Sequence, residues 1–473
     1  MKHLLSRFNW SYLYAILGEG TLALTFVLYV LLARVLGPET YEIFAAAVAL
    51  GAILSLFMQF GFPTLINREV AANPIEGSKL TVEFLLIQLI FAAIVAIALW
   101  PVAKTLGFEG KGAIVCYLVL LSEVDRGVKM TLRSVLRGKG WFRTETISVA
   151  IERSAVVVVA LFVLFQTKNL IWVVTSIVIV RSLDIIGLFW FLSSKTRIYS
   201  RLSLKQFQQS IRRASPFAVS GILWILYYQV DVVMLKAIGA VGQAGFYSAA
   251  YRVMEIFSAL PRAVFYVIFT QLTRCHANTP QELPQEIYKT TRLLLLVVFP
   301  AILMAGFAQK ILINLLYGDR YSASVDSLAI LIPSISINMF ATLAERLLQA
   351  TGREKSLPPL LLTTAIVNLG INAILIPFLG GRGAAIATLL SELILCILGL
   401  ILIGRMGYKQ LAKNMILLVA IALLMASIPS FMLYQIISVS VGAIVLFLGA
   451  IALVVRMRPR YFVGHSPSGE VSS

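Results

Sequence analysis

The chain has 473 residues, 59% of them hydrophobic and only 13% charged, with a mean hydropathy of +0.89. A soluble domain carries roughly a quarter of its residues as charges, so this composition excludes an ordinary soluble enzyme and predicts an integral membrane protein. The net charge of +18 raises the separate question of a nucleic-acid partner, which is answered by where the bases lie.

Apolar runs of the length needed to cross a bilayer follow one another almost end to end, and about fourteen are expected. The first six cover 10–32, 41–62, 81–106, 113–134, 146–165 and 170–192. The next six cover 216–238, 246–270, 291–309, 328–349, 359–379 and 384–403, and 415–434 and 437–455 close the set. The run after Lys2 and Arg7 is too long for a signal peptide and lacks a cleavage site, so it reads as the first helix. The fold class is therefore an all-α polytopic membrane protein.

The excess of bases lies in the loops, concentrated in one alternate set of loops and at both termini. By the positive-inside rule both termini face the cytoplasm. The basic character then reflects topology and attraction to anionic headgroups, and no nucleic-acid partner is expected. Cys116, Cys275 and Cys396 are too far apart to form a metal-binding or redox spacing.

Within the first six spans, "LLSEVDRGVKMTLRSVLRG" (120–138) interrupts an apolar run with six ionisable residues. Charges at mid-membrane are costly and normally face a bundle interior or an aqueous cavity. Counting 1.5 Å per residue from the span ends puts Arg126, Lys129, Arg153 and Arg181 at similar depth on three helices. Two readings stay open. They form a cationic site for a phosphorylated substrate, which arginine suits by its bidentate geometry, or they are structural ion pairs. Local spacing favours Glu123 with Arg126, Asp125 with Lys129 and Arg181 with Asp184.

In the later spans Asp231, Arg252 and Glu255 lie at matching depth, as an Asp231–Arg252 pair or as a gate or cation site. Glu19 and Glu392 stand near mid-membrane without a partner in their own helix, suited to carrying a coupling proton or to a cross-helix hydrogen bond. Pro261 and Pro300 are expected to bend their helices.

"RVLGPETYEIFAAA" (34–47) is similar to "KAIGAVGQAGFYSAA" (236–250), at the junction of first and second helix in successive six-helix sets. Six is even, so the repeat is parallel. The expected organisation is a six-helix lobe over 1–193, a linker over 194–215, a second lobe over 216–404, two additional helices over 405–457 and a cytoplasmic tail over 458–473. In the linker Leu204, Phe207 and Ile211 share one face while Arg201, Lys205 and Arg212 lie elsewhere, the pattern of an amphipathic helix on the inner leaflet.

Catalytic chemistry is not expected. His3, His276 and His465 fall in the termini or a cytoplasmic loop, and no GxxxxGK[ST] occurs. No cofactor and no metal are expected, which leaves a secondary transporter.

Several blocks carry a family resemblance: "ARVLGPETYEIFAAAVALGAILSLFMQFGF" (33–62), "YYQVDVVMLKAIGAVGQAGFYSAAYRVMEIFSALPRAVF" (227–265), "LLYGDRYSAS" (315–324) and "NAILIPFLGGRGAAIATLLSE" (372–392). They resemble bacterial polysaccharide-biosynthesis flippases of the multidrug/oligosaccharidyl-lipid/polysaccharide exporter superfamily. One departure is Glu42, where such proteins commonly have Gly. The resemblance implies two six-helix lobes around a cavity. It further implies transfer of an undecaprenyl-pyrophosphate-linked oligosaccharide from the inner to the outer leaflet of the bacterial cytoplasmic membrane, for O-antigen, capsule or exopolysaccharide assembly. Membrane lipids, a polysaccharide polymerase and glycosyltransferases are the implied partners of a monomer. The alternatives are a cation-coupled multidrug antiporter of the same superfamily and a non-transport scaffold for polysaccharide enzymes.

Overall fold

The computed structural model describes residues 10–199, 204–436 and 438–457. Among these the backbone is helical, with no strand. Helices satisfy every backbone donor and acceptor within one segment, which lipid demands. In chain order the first nine are α1 (Trp10–Leu36), α2 (Pro38–Gln59), α3 (Phe62–Ala72), α4 (Pro74–Lys79), α5 (Thr81–Thr105), α6 (Lys111–Gly138), α7 (Phe142–Thr167), α8 (Leu170–Lys195) and α9 (Leu204–Ile238). The others are α10 (Gln243–Phe257), α11 (Ala259–Asn278), α12 (Leu283–Leu293), α13 (Phe299–Tyr317), α14 (Ser324–Ala350), α15 (Leu357–Leu379), α16 (Gly381–Arg405), α17 (Lys409–Leu433) and α18 (Val439–Arg456).

Among the described residues, nine helical segments are long and apolar enough to cross a membrane. Two of the remaining expected spans depart for identifiable reasons. α6 carries too many charges to qualify by composition. The span expected over 246–270 is interrupted at Ser258. Pro261, three residues on, has no N–H to bond the carbonyl of Phe257, so the helix breaks there. Pro300 also lacks an N–H, but the helix continues through it, the turn before it widening into a π-turn over Leu294–Val298. Within the described residues α1 and α18 contribute the apolar stretches Ala23–Leu36 and Ser440–Val454.

α9 joins the expected linker helix and seventh span into one helix running through Pro216. Proline at that position cannot bond the carbonyl of Arg212, and the Ser215 hydroxyl donates to it instead, at 2.9 Å.

The chain divides by compactness into Met1–Gly245 and Phe246–Ser473. In the first unit α6 packs on α2, α3, α5 and α8. One end of α6, through Leu132, Val135 and Leu136, joins a core with Phe62, Leu65, Ile66 and Val70 of α3, Phe84 and Ile87 of α5, and Leu188 and Leu192 of α8. The start of α9 closes this core: Ala214 is fully buried in it, and Phe207 and Ile211 pack against it. The Ser210 hydroxyl donates to Glu83 at 2.6 Å, and Arg213 pairs with Glu69 at 2.5 Å. The apolar face formed by Phe207 and Ile211 thus lies on protein. Arg201, the tail 458–473 and the side chains of Leu204 and Lys205 lie outside the described residues.

In the second unit α14 is the central helix, buried along most of its length and packed on α11, α13, α16 and α17. One end of it is tied by Asp326, which pairs with Arg382 at the start of α16 and accepts the Tyr434 hydroxyl at 2.5 Å just beyond α17. The α15–α16 turn requires Gly383, because a Cβ there would stand 2.6 Å from the Leu375 carbonyl oxygen.

Candidate functional site

The ionisable residues of α6 do not stay with their own helix. Glu123 pairs with Arg126 at 2.5 Å, the local spacing expected from sequence. The other two expected pairs give way to cross-helix partners. Lys129 Nζ lies 2.5 Å from Glu152 Oε1 on α7, while Asp125 accepts the Ser182 hydroxyl of α8 at 2.9 Å. Arg181 on α8 stands 3.7 Å from Glu123 and 3.6 Å from Glu152, and Asp184 takes Arg133 at 2.8 Å. Arg133 is also 3.6 Å from Glu152. Facing helices bring opposite charges together head to head and exclude water from both, which a pair on a single helix face does not.

The outcome is one continuous network: Arg126, Glu123, Arg181, Glu152, Lys129, Arg133 and Asp184, over α6, α7 and α8. Glu152 is its hub, facing three bases. Hydroxyls complete it. Arg181 donates to the Ser122 hydroxyl at 2.6 Å and carbonyl at 3.1 Å, Arg133 to the Ser148 hydroxyl at 3.2 Å, and Arg126 to the Ser55 hydroxyl of α2 at 3.2 Å. The α2–α6 approach depends on small residues: a Cβ on Gly51 would stand 3.1 Å from Glu123 Cγ, and one on Gly127 would stand 3.0 Å from Gln59 Cγ.

Exposure sorts the bases by what they can touch. The Lys129 side chain is 3% exposed and Arg133 11%, against 21% for Arg181 and 37% for Arg126. Lys129 and Arg133 hold the three helices together. Arg126 and Arg181 share Glu123 and are the more exposed of the four side chains. Arg153 sits half-buried on α7 directly after Glu152, about 100° around the helix from it. Arg133 was not singled out from sequence; its signal was the i+4 spacing from Lys129 on the same charged face.

The remaining sequence candidates lie on other helices. Arg252 pairs with Glu255 at 2.7 Å on α10, and Arg262 donates to the Glu255 carbonyl at 3.2 Å. Asp231 on α9 is 3% exposed. Glu392 on α16 is 4% exposed and accepts a hydrogen bond from the Asn338 side chain of α14 at 3.0 Å. Glu19 falls in α1, and its side chain lies outside the described residues.

A family described as "Polysaccharide biosynthesis protein" matches residues 9–270. The chain is 24% identical over 383 residues to the "Probable low-salt glycan biosynthesis flippase Agl15" of Haloferax volcanii, covering 80% of this chain and 78% of that protein. Among solved structures, that titled "Lipid II flippase MurJ, inward closed conformation" aligns with a TM-score of 0.70 at 16% identity, over 94% of this chain and 100% of the other. An inward-facing multidrug resistance MATE family transporter of the MOP superfamily aligns with a TM-score of 0.65 at 15% identity, over 82% and 94%. These likenesses show that the chain shares the fold of those structures.

Proposed function

The chain belongs to the polysaccharide biosynthesis protein family, and from that premise we propose that it is a flippase for a lipid-linked oligosaccharide. The cargo is an undecaprenyl-pyrophosphate-linked repeat unit carried from the inner to the outer leaflet, for O-antigen, capsule or exopolysaccharide assembly. The two repeat halves, 1–193 and 216–404, alternate access to a cavity between them. Sugar and pyrophosphate pass through polar surroundings while the prenyl chain stays in lipid. The setting is the bacterial cytoplasmic membrane with both termini inside, and the chain acts as a monomer that receives its cargo from glycosyltransferases and delivers it to a polymerase. No catalytic step on the cargo is proposed.

The observation that supports this reading is the split between buried and open bases. Arg126 and Arg181 flank Glu123 and are the more exposed side chains of the network, so a pyrophosphate can take donors now directed at that carboxylate without uncovering Lys129 or Arg133. Arg153, the residue after Glu152, is assigned to the headgroup as a third base in this reading. Partial pairing also keeps the site nearly neutral when empty, which lowers the cost of holding bases at depth. A cargo with two negative charges gains about 4–5 kcal/mol moving outward across 100 mV, at ~2.3 kcal/mol per charge. The membrane potential therefore biases direction. If a cation is coupled, Glu19, Asp231, Arg252 with Glu255, and Glu392 are the gating or coupling candidates.

The test is surface glycan display in cells whose only copy carries Arg126→Ala and Arg181→Ala, with membrane content of the protein measured in parallel. Loss of display at normal protein level supports the reading. Undiminished display contradicts it.

A further inference from the structure

α14 is buried along most of its length, yet from Leu331 to its end five residues stay partly exposed, and all five are polar: Asn338, Thr342, Glu345, Arg346 and Gln349. They fall within an arc of roughly 100° of the helix and extend over about 16 Å of its length. A strip turned to lipid would be apolar, whereas polar and ionisable side chains in a span face a bundle interior or water. Partners within the chain are few. Asn338 donates to Glu392 at 3.0 Å, and Arg346 donates to Gln349 at 2.8 Å with its guanidinium 6.0 Å from the centre of the Phe269 ring. Among the described residues, neither the Thr342 hydroxyl nor the Glu345 carboxylate has a hydrogen-bond or ion-pair partner.

The internal repeat shows what this strip replaces. "RSVLRGKG" (133–140) at the end of α6 aligns without a gap with "ERLLQATG" (345–352) at the end of α14. Both helices close in the same way: Gly140 and Gly352 take φ of 75° and 71°, and the N–H that follows, of Trp141 or Arg353, donates to the carbonyl of Leu136 or Leu348 at 2.8 Å. In that register Asn338 stands at the position of Arg126, Glu345 at that of Arg133 and Gln349 at that of Arg137. Three bases of the first copy are two amides and an acid in the second.

We propose that this strip of α14 binds the glycan of the cargo, through the hydroxyls of its sugars rather than through phosphate. This rests on the flippase reading. Sugar hydroxyls both donate and accept, and the strip answers both: the Asn338 and Gln349 amides and the Thr342 hydroxyl do either, Glu345 accepts and Arg346 donates. Its charges sum to zero, and the Glu345 carboxylate repels a pyrophosphate that the bases of α6 attract. Gln349 and the Phe269 ring hold the Arg346 guanidinium without neutralising it, which leaves N–H donors for a ligand.

The test uses the full chain with Thr342→Cys in detergent and reads the rate of thiol labelling by a water-soluble maleimide, with the parent chain as control for its own three buried cysteines. The probes are the oligosaccharide released by mild acid from the host's lipid-linked pool, and inorganic pyrophosphate. The saccharide is expected to slow labelling roughly tenfold and pyrophosphate to leave it unchanged. A thiol that never labels, labelling that the saccharide does not slow, or slowing by pyrophosphate as great as that by the saccharide overturns the glycan site. In vesicles, Thr342→Val with Glu345→Gln is expected to move the lipid-linked oligosaccharide roughly tenfold more slowly than the parent; transfer at the parent rate overturns the site as well. Protection by the saccharide with no lipid transfer by the parent chain sinks the flippase reading and leaves the glycan site standing, and transfer without protection does the reverse.

Discussion

Lys129 Nζ and Glu152 Oε1 lie 2.5 Å apart, with both side chains at least nine-tenths buried. Neither charge can be solvated where it stands, so each depends on the other. Removing one partner of such a pair costs about 3–5 kcal/mol, because the survivor is left buried and uncompensated. Lys129→Ala should fall in that range. Glu152→Ala should cost more, since it leaves Lys129, Arg133 and Arg181 facing one another. The joint change Lys129→Met with Glu152→Leu should recover most of the loss. Thermal unfolding of the purified variants in detergent reads this directly, and a Glu152→Ala protein as stable as the parent would show that the network does not hold the helices.

Arg126 behaves differently because its side chain is 37% exposed. Its partner Glu123 is 8% exposed but keeps Arg181 at 3.7 Å, so losing Arg126 should cost less than losing Lys129. Arg126→Ala should therefore lower thermal stability less than Lys129→Ala does while reducing glycan display about tenfold or more. Arg126→Lys should recover only part of the activity, since an ammonium lacks the bidentate fork. Stability falling as far as in Lys129→Ala would assign Arg126 to the scaffold.

The start of α9 is held to the rest of its unit by a contact that senses pH. Burial works against the Glu69 carboxylate, but hydrogen bonds from Arg213 and Arg68 outweigh it and hold its pKa below the ordinary 4.5. A depressed folded-state pKa gives stability that is fully present above the unfolded value and is lost as pH falls through the folded one. Hydrogen exchange over 206–215, corrected for intrinsic rates, should stay slow down to about pH 4.5 and accelerate below it. Arg213→Ala should weaken that pH dependence; an unaltered profile would remove Glu69 from the docking.

Gly138, the last residue of α6, meets α3 so closely that a Cβ would stand 2.7 Å from Val70 Cβ and 3.0 Å from the Asn67 carbonyl oxygen. Gly138→Ala should cost about 1–3 kcal/mol by overpacking, and Gly138→Ala with Val70→Ala should recover part of it. Thermal unfolding distinguishes the two.

Much of this was legible in the sequence, for definite reasons. Hydropathy marks helices such as α5 and α16 because lipid imposes one requirement on every residue of a span. The location of the charged core was legible too, since Glu123, Arg126, Lys129, Glu152 and Arg181 are too polar for lipid. Which base meets which acid was not. Spacing along one helix favoured Asp125 with Lys129 and Arg181 with Asp184, whereas rotation of α7 and α8 against α6 decides the pairs, and a single helix carries no record of its neighbour's rotation. Arg133 escaped notice because it falls at the end of the expected span, where a base reads as an interfacial anchor. The junction of linker and seventh span was hidden by Pro216, normally a helix breaker, whose missing hydrogen bond is replaced by Ser215.

The central claim is that this chain moves a lipid-linked oligosaccharide across a bilayer through the Arg126–Arg181 side of the network. The most direct measurement is the appearance of a labelled undecaprenyl-pyrophosphate oligosaccharide in the opposite leaflet of vesicles containing the purified protein, read by an impermeant lectin. The account predicts transfer with the parent chain and at least tenfold slower transfer with Arg126→Ala plus Arg181→Ala. Equal rates with the parent, with the double variant and with empty vesicles would contradict it.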